Sequence, residues 1–351
     1  MADSRDTVSK QPQLDTYRAW QATRYGSAAD ALQLGELPYR APSGTDVAIR
    51  VQAAALNPID YKLLAGDLRR LHKLRFPATP GFDAAGTVIA CGPGVTRFAP
   101  GERVFVRGSR DTLGAFAEIS TQPEAFVAHA PRNLDATEAA SLPLVALTTM
   151  QALVDRAQAR AGQNILIHAG VGGLGSFAMQ YARHLGLTVH TTCSERNRSL
   201  AFSLGAQEVI AYDREDYRHR LDRYDMVFDT LGGAHTLDSF KVVKRGGILV
   251  SVAGPPDREM AAKAPNFLVR WGMRAMAGEV HAAAKRKNVR YFRFLTESDG
   301  PRLETLVPLL ESGEIRPLID RTFEFDQLVA ACEYLQQGRA RGKVVLRVAG
   351  G

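Results

Sequence analysis

Cysteine is rare in this chain, and long apolar runs are missing from it. Among its 351 residues the three cysteines, Cys91, Cys193 and Cys332, stand far apart without a CxxC pair. This spacing excludes a disulfide scaffold and a structural zinc site built from cysteines. The eight histidines show no HExxH spacing, so we predict no metal site. No stretch approaches the roughly 20 uninterrupted apolar residues of a membrane span.

The net charge of the chain is also modest. The 44 Lys and Arg residues against 37 Asp and Glu residues give a net charge of +7. The excess is spread along the chain, so we expect a solvated surface and no nucleic-acid partner. Residues 1–16 mix acids and bases around Pro12, which predicts a flexible tail and neither a signal peptide nor a transit peptide. With its unpaired cysteines, the sequence favours a cytoplasmic protein.

Two kinds of sequence divide the rest of the chain. From Tyr17 to about residue 136, short β-branched runs such as Val47–Val51 are separated by Gly and Pro, which predicts a turn-rich, β-rich module. Next comes a helical stretch over 137–161, and then apolar strands alternate with helices, which predicts a doubly wound, parallel α/β sheet. From Phe323 onward the sequence is β-like again, and the final strand could extend either sheet.

The segment Met260–Lys287 is rich in Met, Ala and basic residues, and its pattern is helical. A helix lying on a membrane surface is one interpretation. We favour an insertion that packs over the cleft or at a subunit contact, because Gly278 and Glu279 interrupt the pattern.

The clearest motif is a glycine-rich turn between a predicted strand, Asn164–His168, and a predicted helix, Ser176–Leu185. The turn comprises Gly170, Val171, Gly172, Gly173, Leu174 and Gly175. Glycines let the backbone approach a pyrophosphate, and the N–H groups at the helix start favour its negative charge. A strand, a tight turn and a helix in this order predict a dinucleotide site.

The end of the second strand of this unit bears on the choice between NAD and NADP. There Ser194 offers a hydroxyl where an acid would repel a 2′-phosphate, and Arg196 and Arg198 can donate charge-assisted hydrogen bonds to that phosphate. Glu195 could instead bind an unphosphorylated ribose, and one of the two arginines could be only a solvated helix start. The balance favours NADPH.

Together these motifs resemble those of the medium-chain dehydrogenase/reductase superfamily, specifically its zinc-free quinone oxidoreductase branch. The segments that carry the resemblance are Leu56–Lys62, Pro80–Gly86, Pro100–Val104, the glycine-rich turn, Asp229–Gly233 and Arg341–Val344. The resemblance implies a GroES-like catalytic domain over 17–136, completed by 315–351. A Rossmann domain over 137–314 would bind the cofactor.

The chain departs from the zinc-bearing alcohol dehydrogenases of this superfamily. Where those carry Gly-His-Glu it has Gly81, Phe82 and Asp83, and Asn57 lies in the neighbourhood of their metal-binding cysteine. Neither Phe82 nor Asn57 is a plausible zinc ligand, so alcohol oxidation through a metal alkoxide loses its Lewis acid. What remains is hydride transfer to a carbon that is already electrophilic.

A conjugated acceptor, such as a quinone, enone or enal, takes negative charge on its oxygen when hydride arrives. We predict Lys62 as the partner or proton source of that oxygen, with Tyr61 as the alternative. On a strand, these adjacent side chains would alternate and could not both face one cleft. Asn57 and Asp60 are predicted to shape the cleft, although Asp60 is equally well explained as a helix or turn cap.

The resemblance also implies further cofactor contacts. Thr148 resembles the threonine at the nicotinamide end, and Tyr212 resembles the tyrosine near the adenosine phosphate. Four more contacts are carried over, namely Leu231, Val252, Phe294 and Lys343. Core packing competes as the explanation for Phe294, which lies in an ordinary apolar run.

The sequence thus favours a metal-independent NADPH-dependent reductase of a small quinone or α,β-unsaturated carbonyl. Two alternatives stay open. One is a reductase of enoyl thioesters, in which the basic segment would contact an acyl-carrier phosphate. The other is a non-catalytic NADPH-binding protein with a structural or sensing role. A homodimer through the edge of the parallel sheet is expected from the resemblance and from the apolar run Ile248–Val252.

Overall fold

The computed structural model describes residues 15–69, 72–264 and 266–348. Most of the predicted tail lies outside these ranges. Its last residue is not part of a tail, because Thr16 begins the first strand and pairs with Pro38 of the second. No helix in the described ranges is long and apolar enough to cross a membrane.

The described part of the chain contains fifteen strands and thirteen α-helices. The strands are β1 (Thr16–Ala22), β2 (Leu32–Pro38), β3 (Asp46–Leu56), β4 (Asp83–Cys91), β5 (Arg103–Arg107), β6 (Ile119–Pro123), β7 (Val127–His129), β8 (Asn164–Ile167), β9 (Thr188–Cys193), β10 (Glu208–Ala211), β11 (Tyr224–Asp229), β12 (Val243–Ser251), β13 (Arg290–Arg293), β14 (Ile319–Glu324) and β15 (Lys343–Arg347). The helices are α1 (Ala28–Ala31), α2 (Pro58–Ala65), α3 (Ala136–Ala140), α4 (Pro143–Met150), α5 (Gly173–His184), α6 (Arg198–Ser203), α7 (Ala234–Val242), α8 (Arg258–Ala262), α9 (Phe267–Met276), α10 (Gly278–Lys287), α11 (Gly300–Glu304), α12 (Val307–Glu311) and α13 (Leu328–Gln336).

The predicted helical stretch over 137–161 is divided. Helix α3 ends at Ala140, and α4 starts again at Pro143, which occupies its first turn. Proline has no backbone N–H to continue the hydrogen bonds of a preceding helix but fits the first turn of a new one. A π-helical turn, Gln151–Arg156, then extends α4.

The N-terminal strands and the last two strands form one sheet. Its seven strands follow the order β14-β15-β3-β4-β5-β7, with β6 paired to β3. Strand β15 runs antiparallel to β3, with Val344 opposite Leu56. The final strand therefore extends the N-terminal sheet, which the sequence left open, and this pairing supports the proposal that 315–351 complete the domain of 17–136.

The second sheet has six parallel strands in the order β10-β9-β8-β11-β12-β13. This is the strand order of doubly wound dinucleotide-binding folds. Helices cover both faces, so consecutive residues such as Ile165, Leu166 and Ile167 are all fully buried. The order reverses between β8 and β11, and ligands of such sheets bind at the carboxyl ends of the strands beside that point.

The apolar run Ile248–Val252 does not lie at the edge of the sheet. Ile248 on β12 pairs with Met226 on one side and with Arg290 of β13 on the other. Burial inside the sheet explains the apolar character of the run, so the argument for a dimer edge from this run is wrong. The edge strands of this sheet are β10 and β13, and the homodimer stays a prediction from the resemblance.

Helices α3 and α4 join the two sheets through one apolar core. Ala139 and Leu147 belong to a buried cluster that includes Phe105 of the N-terminal sheet and Ile165 of the parallel sheet. Because the two units share this core, both contribute walls to the cleft beside it.

Candidate active site

A cleft of about 1260 Å³ opens between the two units at the carboxyl end of β8. The glycine-rich turn forms one wall, and helix α2 with the loop after it forms the other. Asn57, Tyr61 and Lys62, predicted from the sequence as catalytic, lie opposite the predicted cofactor turn. The cleft is large enough for a dinucleotide and a small substrate together.

Three residues of the turn serve its packing. A Cβ on Gly175 would lie 2.3 Å from the carbonyl oxygen of Ala169, and one on Gly170 would lie 2.0 Å from Oγ1 of Thr191. Both positions therefore exclude any larger residue. Val171 is buried in the apolar core and holds the turn against the sheet.

The other three residues of the turn face the cleft. Gly172 is the N-cap of α5, and Gly172, Gly173 and Leu174 all line the cleft. A Cβ on Gly172 would have Ala169 O, at 3.3 Å, as its nearest neighbour. The first amides of α5 have no partner within the helix. This bare backbone at a helix N-terminus fits the pyrophosphate of a dinucleotide.

Tyr61 and Lys62 lie on helix α2, not on a strand. Asn57 is the N-cap of this helix, and its backbone N–H donates a hydrogen bond of 2.7 Å to Oδ2 of Asp60, which is part of a capping box. Successive helical side chains are separated by about 100°, so Tyr61 and Lys62 can both line the cleft, and both do. The condition for alternation, a strand, is not met here. Asp60 does not line the cleft and instead closes the capping box at the third helical position.

Beneath α2 lies a buried polar network that includes the Asn57 side chain. Its Nδ2 donates to Oδ2 of Asp83 at 2.9 Å, and its Oδ1 accepts from Nζ of Lys343. That Nζ is also 3.5 Å from Oδ2 of Asp83. The other oxygen of Asp83 accepts from the N–H of Leu144 at 3.0 Å. The network therefore ties α2, β4, α4 and β15 together.

Burial controls the titration of this network. Burial raises the pKa of Asp60 to about 8. The hydrogen bond from Asn57 opposes this rise, and the nearby negative charge of Asp83 adds to it. Burial also raises the pKa of Asp83, which Lys343 opposes, and lowers the pKa of Lys343. Asp83 has the closer cation and two hydrogen-bond donors, so its charged form is better compensated than that of Asp60.

Lys343 is predicted as a cofactor contact, and the structure places it between the two walls. Its ammonium is engaged by Asn57 and Asp83. Its aliphatic part lies against the turn, since a Cβ on Gly173 would be 2.9 Å from Cδ of Lys343. Lys343 thus links the catalytic wall to the cofactor turn and also lines the cleft.

Two of the residues carried over from the resemblance lie deep in the cleft. Oγ1 of Thr148 is 2.7 Å from Oγ1 of Thr296, and both residues line the cleft. Phe294 lines the cleft and also belongs to the main core. Its two explanations are therefore compatible.

The loops after β11 and β12 complete the cleft. Leu231 and Val252 line it, as predicted. Asp229 is fully buried and accepts from the N–H of Leu231 at 3.0 Å and from the hydroxyl of Ser251 at 2.8 Å. This carboxylate sets the path of both loops, which is the structural role of the Asp229–Gly233 motif.

The residues predicted to recognise the adenosine phosphate lie outside the cleft lining, at the carboxyl ends of β9 and β10. Cys193 pairs with Ala211, so the next residues, Ser194 and Tyr212, are neighbours. Tyr212 is 65 % exposed. The hydroxyl of Ser194 accepts from Nδ2 of Asn197 at 3.0 Å. At this end Tyr212 is therefore exposed, whereas Ser194 is buried.

The two arginines at this end differ. Arg198 donates to both carboxylate oxygens of Glu195, at 3.0 and 2.9 Å, and lies 3.4 Å from Glu215. Arg196 is exposed, and it makes no salt bridge within the described ranges. Arg198 neutralises Glu195, which leaves Arg196 as the cation better placed to bind a phosphate.

Sequence reasoning missed the partners of the catalytic wall. Asp83 was noted only as a departure from a zinc motif, and Arg107 was not singled out. They are cross-strand neighbours on β4 and β5, and burial lowers the pKa of Arg107 to about 10. A period-2 pattern in both strands was the available signal, but the sequence does not specify their register.

No group of three or more His, Cys, Asp or Glu side chains in the described ranges is arranged to hold a metal ion. Asp83 and Asn57, at the positions compared with zinc ligands, are bound to each other and to Lys343. Asp83 and Lys343 form a buried ion pair, and the side-chain amide of Asn57 bonds to both of them.

The fold and this cleft define an oxidoreductase with a catalytic domain and a nicotinamide-nucleotide domain. Residues 43–132 match the alcohol dehydrogenase GroES-like domain, and residues 204–346 match the zinc-binding dehydrogenase family. The chain belongs to the medium-chain dehydrogenase/reductase superfamily, in its zinc-free quinone oxidoreductase branch. The predicted family and fold class are confirmed.

Several relatives are similar over most of their length. The chain is 35 % identical to 2-methylene-furan-3-one reductase of Solanum lycopersicum, over 94 % of this chain and 78 % of the relative. It is 33 % identical to the chloroplastic NADPH-dependent alkenal/one oxidoreductase of Arabidopsis thaliana, over 94 % and 79 %. The structure of the quinone oxidoreductase from Coxiella burnetii matches with a TM-score of 0.82 at 32 % identity, covering 95 % of this chain and 100 % of that one.

Proposed function

We propose that the protein is an NADPH-dependent reductase that transfers hydride to quinones or α,β-unsaturated carbonyls without a metal. The observation that carries the proposal is the position of Lys62 and Tyr61 across one cleft from the glycine-rich turn. The named activities of the relatives support the same reaction class. Asn57 and Asp83 lie in the two segments compared with those of the zinc-bearing enzymes. Their engagement with each other and with Lys343 supports metal independence.

The reaction needs hydride, which NADPH supplies when bound, and a proton for the acceptor. Thr148 and Phe294 would hold the nicotinamide end deep in the cleft, with the amides of α5 on the pyrophosphate. The acceptor would lie between that end and α2. Lys62 would donate a hydrogen bond, or the proton, to the acceptor oxygen as negative charge develops there. Tyr61 is the alternative donor.

A preference for NADPH over NADH follows from the adenosine end. A bare carboxylate at this position would accept from both ribose hydroxyls and would repel a 2′-phosphate. Here the carboxylate of Glu195 is bound to Arg198. Ser194 and Arg196 are then available to the phosphate.

Turnover on a small panel tests the proposal. NADPH oxidation would be followed by absorbance with 1,4-benzoquinone, 9,10-phenanthrenequinone and a short enone, with and without a chelator, and with NADH in a parallel series. We expect turnover of at least one acceptor, preference for NADPH and no effect of the chelator. NADPH binding without any turnover would support the non-catalytic alternative, and loss of activity in chelator would contradict metal independence.

One observation favours a second candidate function. Lys62, Arg69 and Arg110 all line the substrate side of the cleft, where Asp67 is the acidic residue of the lining. A basic mouth suits a substrate that carries phosphate or carboxylate groups, such as an enoyl thioester of coenzyme A. Crotonyl-CoA added to the panel distinguishes the two, since turnover of this substrate alone would favour the thioester reductase.

Two further expectations rest on the family and the composition. A homodimer is proposed from the resemblance and is checked by light scattering, where a particle of 38.2 kDa would contradict it. The cytoplasmic location remains a prediction from the unpaired cysteines.

A further inference from the structure

Helix α9 presents an apolar face to solvent. Phe267, Leu268 and Trp271 are 73 %, 65 % and 72 % exposed. Positions i, i+1 and i+4 lie on one side of a helix, so the three side chains form a single patch, the α9 face. Clustered exposure of large apolar side chains marks an interaction surface.

The opposite side of α9 is anchored. Met273 is buried and packs with Ala261 and Ala264 of the preceding segment, and Val269 packs against the same cluster. Val269 and Met273 also line the cleft. The outward direction of the α9 face is therefore set by packing on the other side of the helix.

Positive charge surrounds the α9 face. Residues 260–278 contain Lys263, Arg270 and Arg274 and no Asp or Glu. Arg270 and Arg274 are exposed one turn apart beside the face, and neither makes a salt bridge within the described ranges. A Trp- and Phe-bearing apolar face with flanking arginines is typical of helices that lie in a membrane interface. Arginines at that depth attract anionic lipid headgroups.

The α9 face also continues into the mouth of the cleft. Leu268 is exposed in the face and lines the cleft as well, and Met276 at the end of the helix does the same. A surface on which the α9 face rested would therefore lie beside the entrance to the cleft.

We propose that the α9 face docks the protein on an anionic lipid surface, with Arg270 and Arg274 at the phosphates and Phe267 and Trp271 at the headgroup boundary. Charge argues against a second copy of the chain as the occupant, because a symmetric contact would bring four exposed arginines together. The flanking acids do not oppose them on this face, since Glu259 is already paired with Arg156 and Lys263, and Glu279 lies beyond the end of α9. This differs from the sequence-based preference for an insertion over the cleft or at a subunit contact. The segment does border the cleft, and its outer face is left for the lipid.

The fluorescence of Trp271 can serve as an intrinsic probe of this docking. The chain has two tryptophans; Trp20 is 7 % exposed and its indole N–H donates to the carbonyl of Phe325 at 2.8 Å. Changes in fluorescence on vesicle binding therefore report mainly Trp271. We expect a blue shift and co-sedimentation with vesicles of phosphatidylcholine and phosphatidylglycerol, and neither with pure phosphatidylcholine. Absence of co-sedimentation with the anionic vesicles would overturn the proposal.

Matched variants localise the effect while keeping the probe. Phe267→Ser and the double change Arg270→Gln/Arg274→Gln should abolish or weaken binding, by roughly fivefold for each arginine. Phe202→Ser, another exposed aromatic on a different helix, should bind as the wild type does. Equal binding by all variants would contradict docking through α9. A blue shift that depends on protein concentration without vesicles would instead indicate a second copy and overturn the lipid assignment.

A consequence for substrate access rests on the proposed function. Phe267 does not belong to the cleft lining, so Phe267→Ser should leave turnover of soluble 1,4-benzoquinone unchanged and lower turnover of a long-chain quinone dissolved in anionic vesicles. Vesicle binding without turnover of either quinone would defeat the reductase proposal while supporting docking. Equal turnover of the vesicle-borne quinone by both proteins would contradict access through the α9 face.

Discussion

The two ends of the proposed cofactor site are built in opposite ways. At the nicotinamide end, Asn57, Asp83 and Lys343 come from distant parts of the chain and are buried together. At the adenosine end, Ser194 and Arg196 come from one short loop, and Arg196 is exposed.

The residues proposed to act in hydride transfer are therefore separate from those proposed to select NADPH over NADH. In the buried network each side chain is bonded to the next, and this fixes the position of α2 and therefore of Lys62. We expect such a network to tolerate almost no substitution. An exposed loop binds a phosphate through charges that can be altered with little effect on the fold. Substitutions at the two ends should therefore affect different measurable quantities.

The largest effect is expected from Lys343→Ala. Removing one partner leaves the carboxylate of Asp83 buried without its cation, which costs about 3–5 kcal/mol of unfolding free energy. Urea denaturation followed by circular dichroism measures it. Lys241→Ala is the matched control, because Lys241 pairs with Asp238 at 2.7 Å on the surface and such pairs contribute about 0–1 kcal/mol. Similar losses in the two variants would mean that burial does not set the strength of this network.

The next effect concerns rate. Lys62→Ala should lower kcat by roughly 10²–10³, the usual cost of losing one donor to a developing oxyanion, with little change in NADPH affinity. Steady-state turnover of the best acceptor in the panel measures it. Tyr61→Phe is the companion variant, and a loss of kcat in Tyr61→Phe with none in Lys62→Ala would reverse the two roles.

The fold, and the loop proposed for the adenosine end, were largely accessible from the sequence, because their signals are local; the role of that loop stays a prediction. The glycine turn, the alternation of strands and helices, and the loop Ser194–Arg198 are each read within about 30 residues. The buried network was not accessible in the same way. Asn57 meets Lys343 only because β15 pairs with β3, and the sequence left that pairing open.

One wrong argument and one open assignment both come from reading the local sequence pattern alone. Ile248–Val252 is apolar whether its strand is central or at the edge, so composition could not place it in the sheet. The sequence left the segment with Tyr61 and Lys62 unassigned between strand and helix, although Asn57, Pro58 and Asp60 supply the cap, first-turn proline and capping box of a helix. That start signal was present in the sequence.

At the adenosine end, Arg196→Ala should weaken NADPH binding by about 1.5–3 kcal/mol, the contribution of a hydrogen bond to a charged group. NADH lacks the 2′-phosphate, so its affinity should not change. Fluorescence titration with both nucleotides measures the two dissociation constants. Arg286→Ala, an exposed arginine on α10, is the control; equal weakening of NADPH and NADH by Arg196→Ala would remove Arg196 from phosphate recognition.

A separate effect concerns the pH dependence of the free energy of unfolding. The pKa of Asp60 is about 8 in the folded protein and about 3.9 when unfolded. Between these values the folded state holds a proton that the unfolded state releases, so this group makes stability fall as pH rises towards 8, with no further loss above it. Asp60→Asn cannot titrate, and its melting temperature should fall less from pH 5 to pH 8 than that of the wild type. Parallel curves would show that Asp60 is ionised throughout.

The separation of chemistry from cofactor choice is tested most directly by one stopped-flow experiment. Single-turnover oxidation of NADPH by the best acceptor, measured over a range of NADPH concentrations for Lys62→Ala and Arg196→Ala, gives a limiting rate and an apparent Kd for each variant. We expect a reduced limiting rate with unchanged Kd for Lys62→Ala, and a raised Kd with unchanged limiting rate for Arg196→Ala. The same parameter changing in both variants would contradict the division of roles.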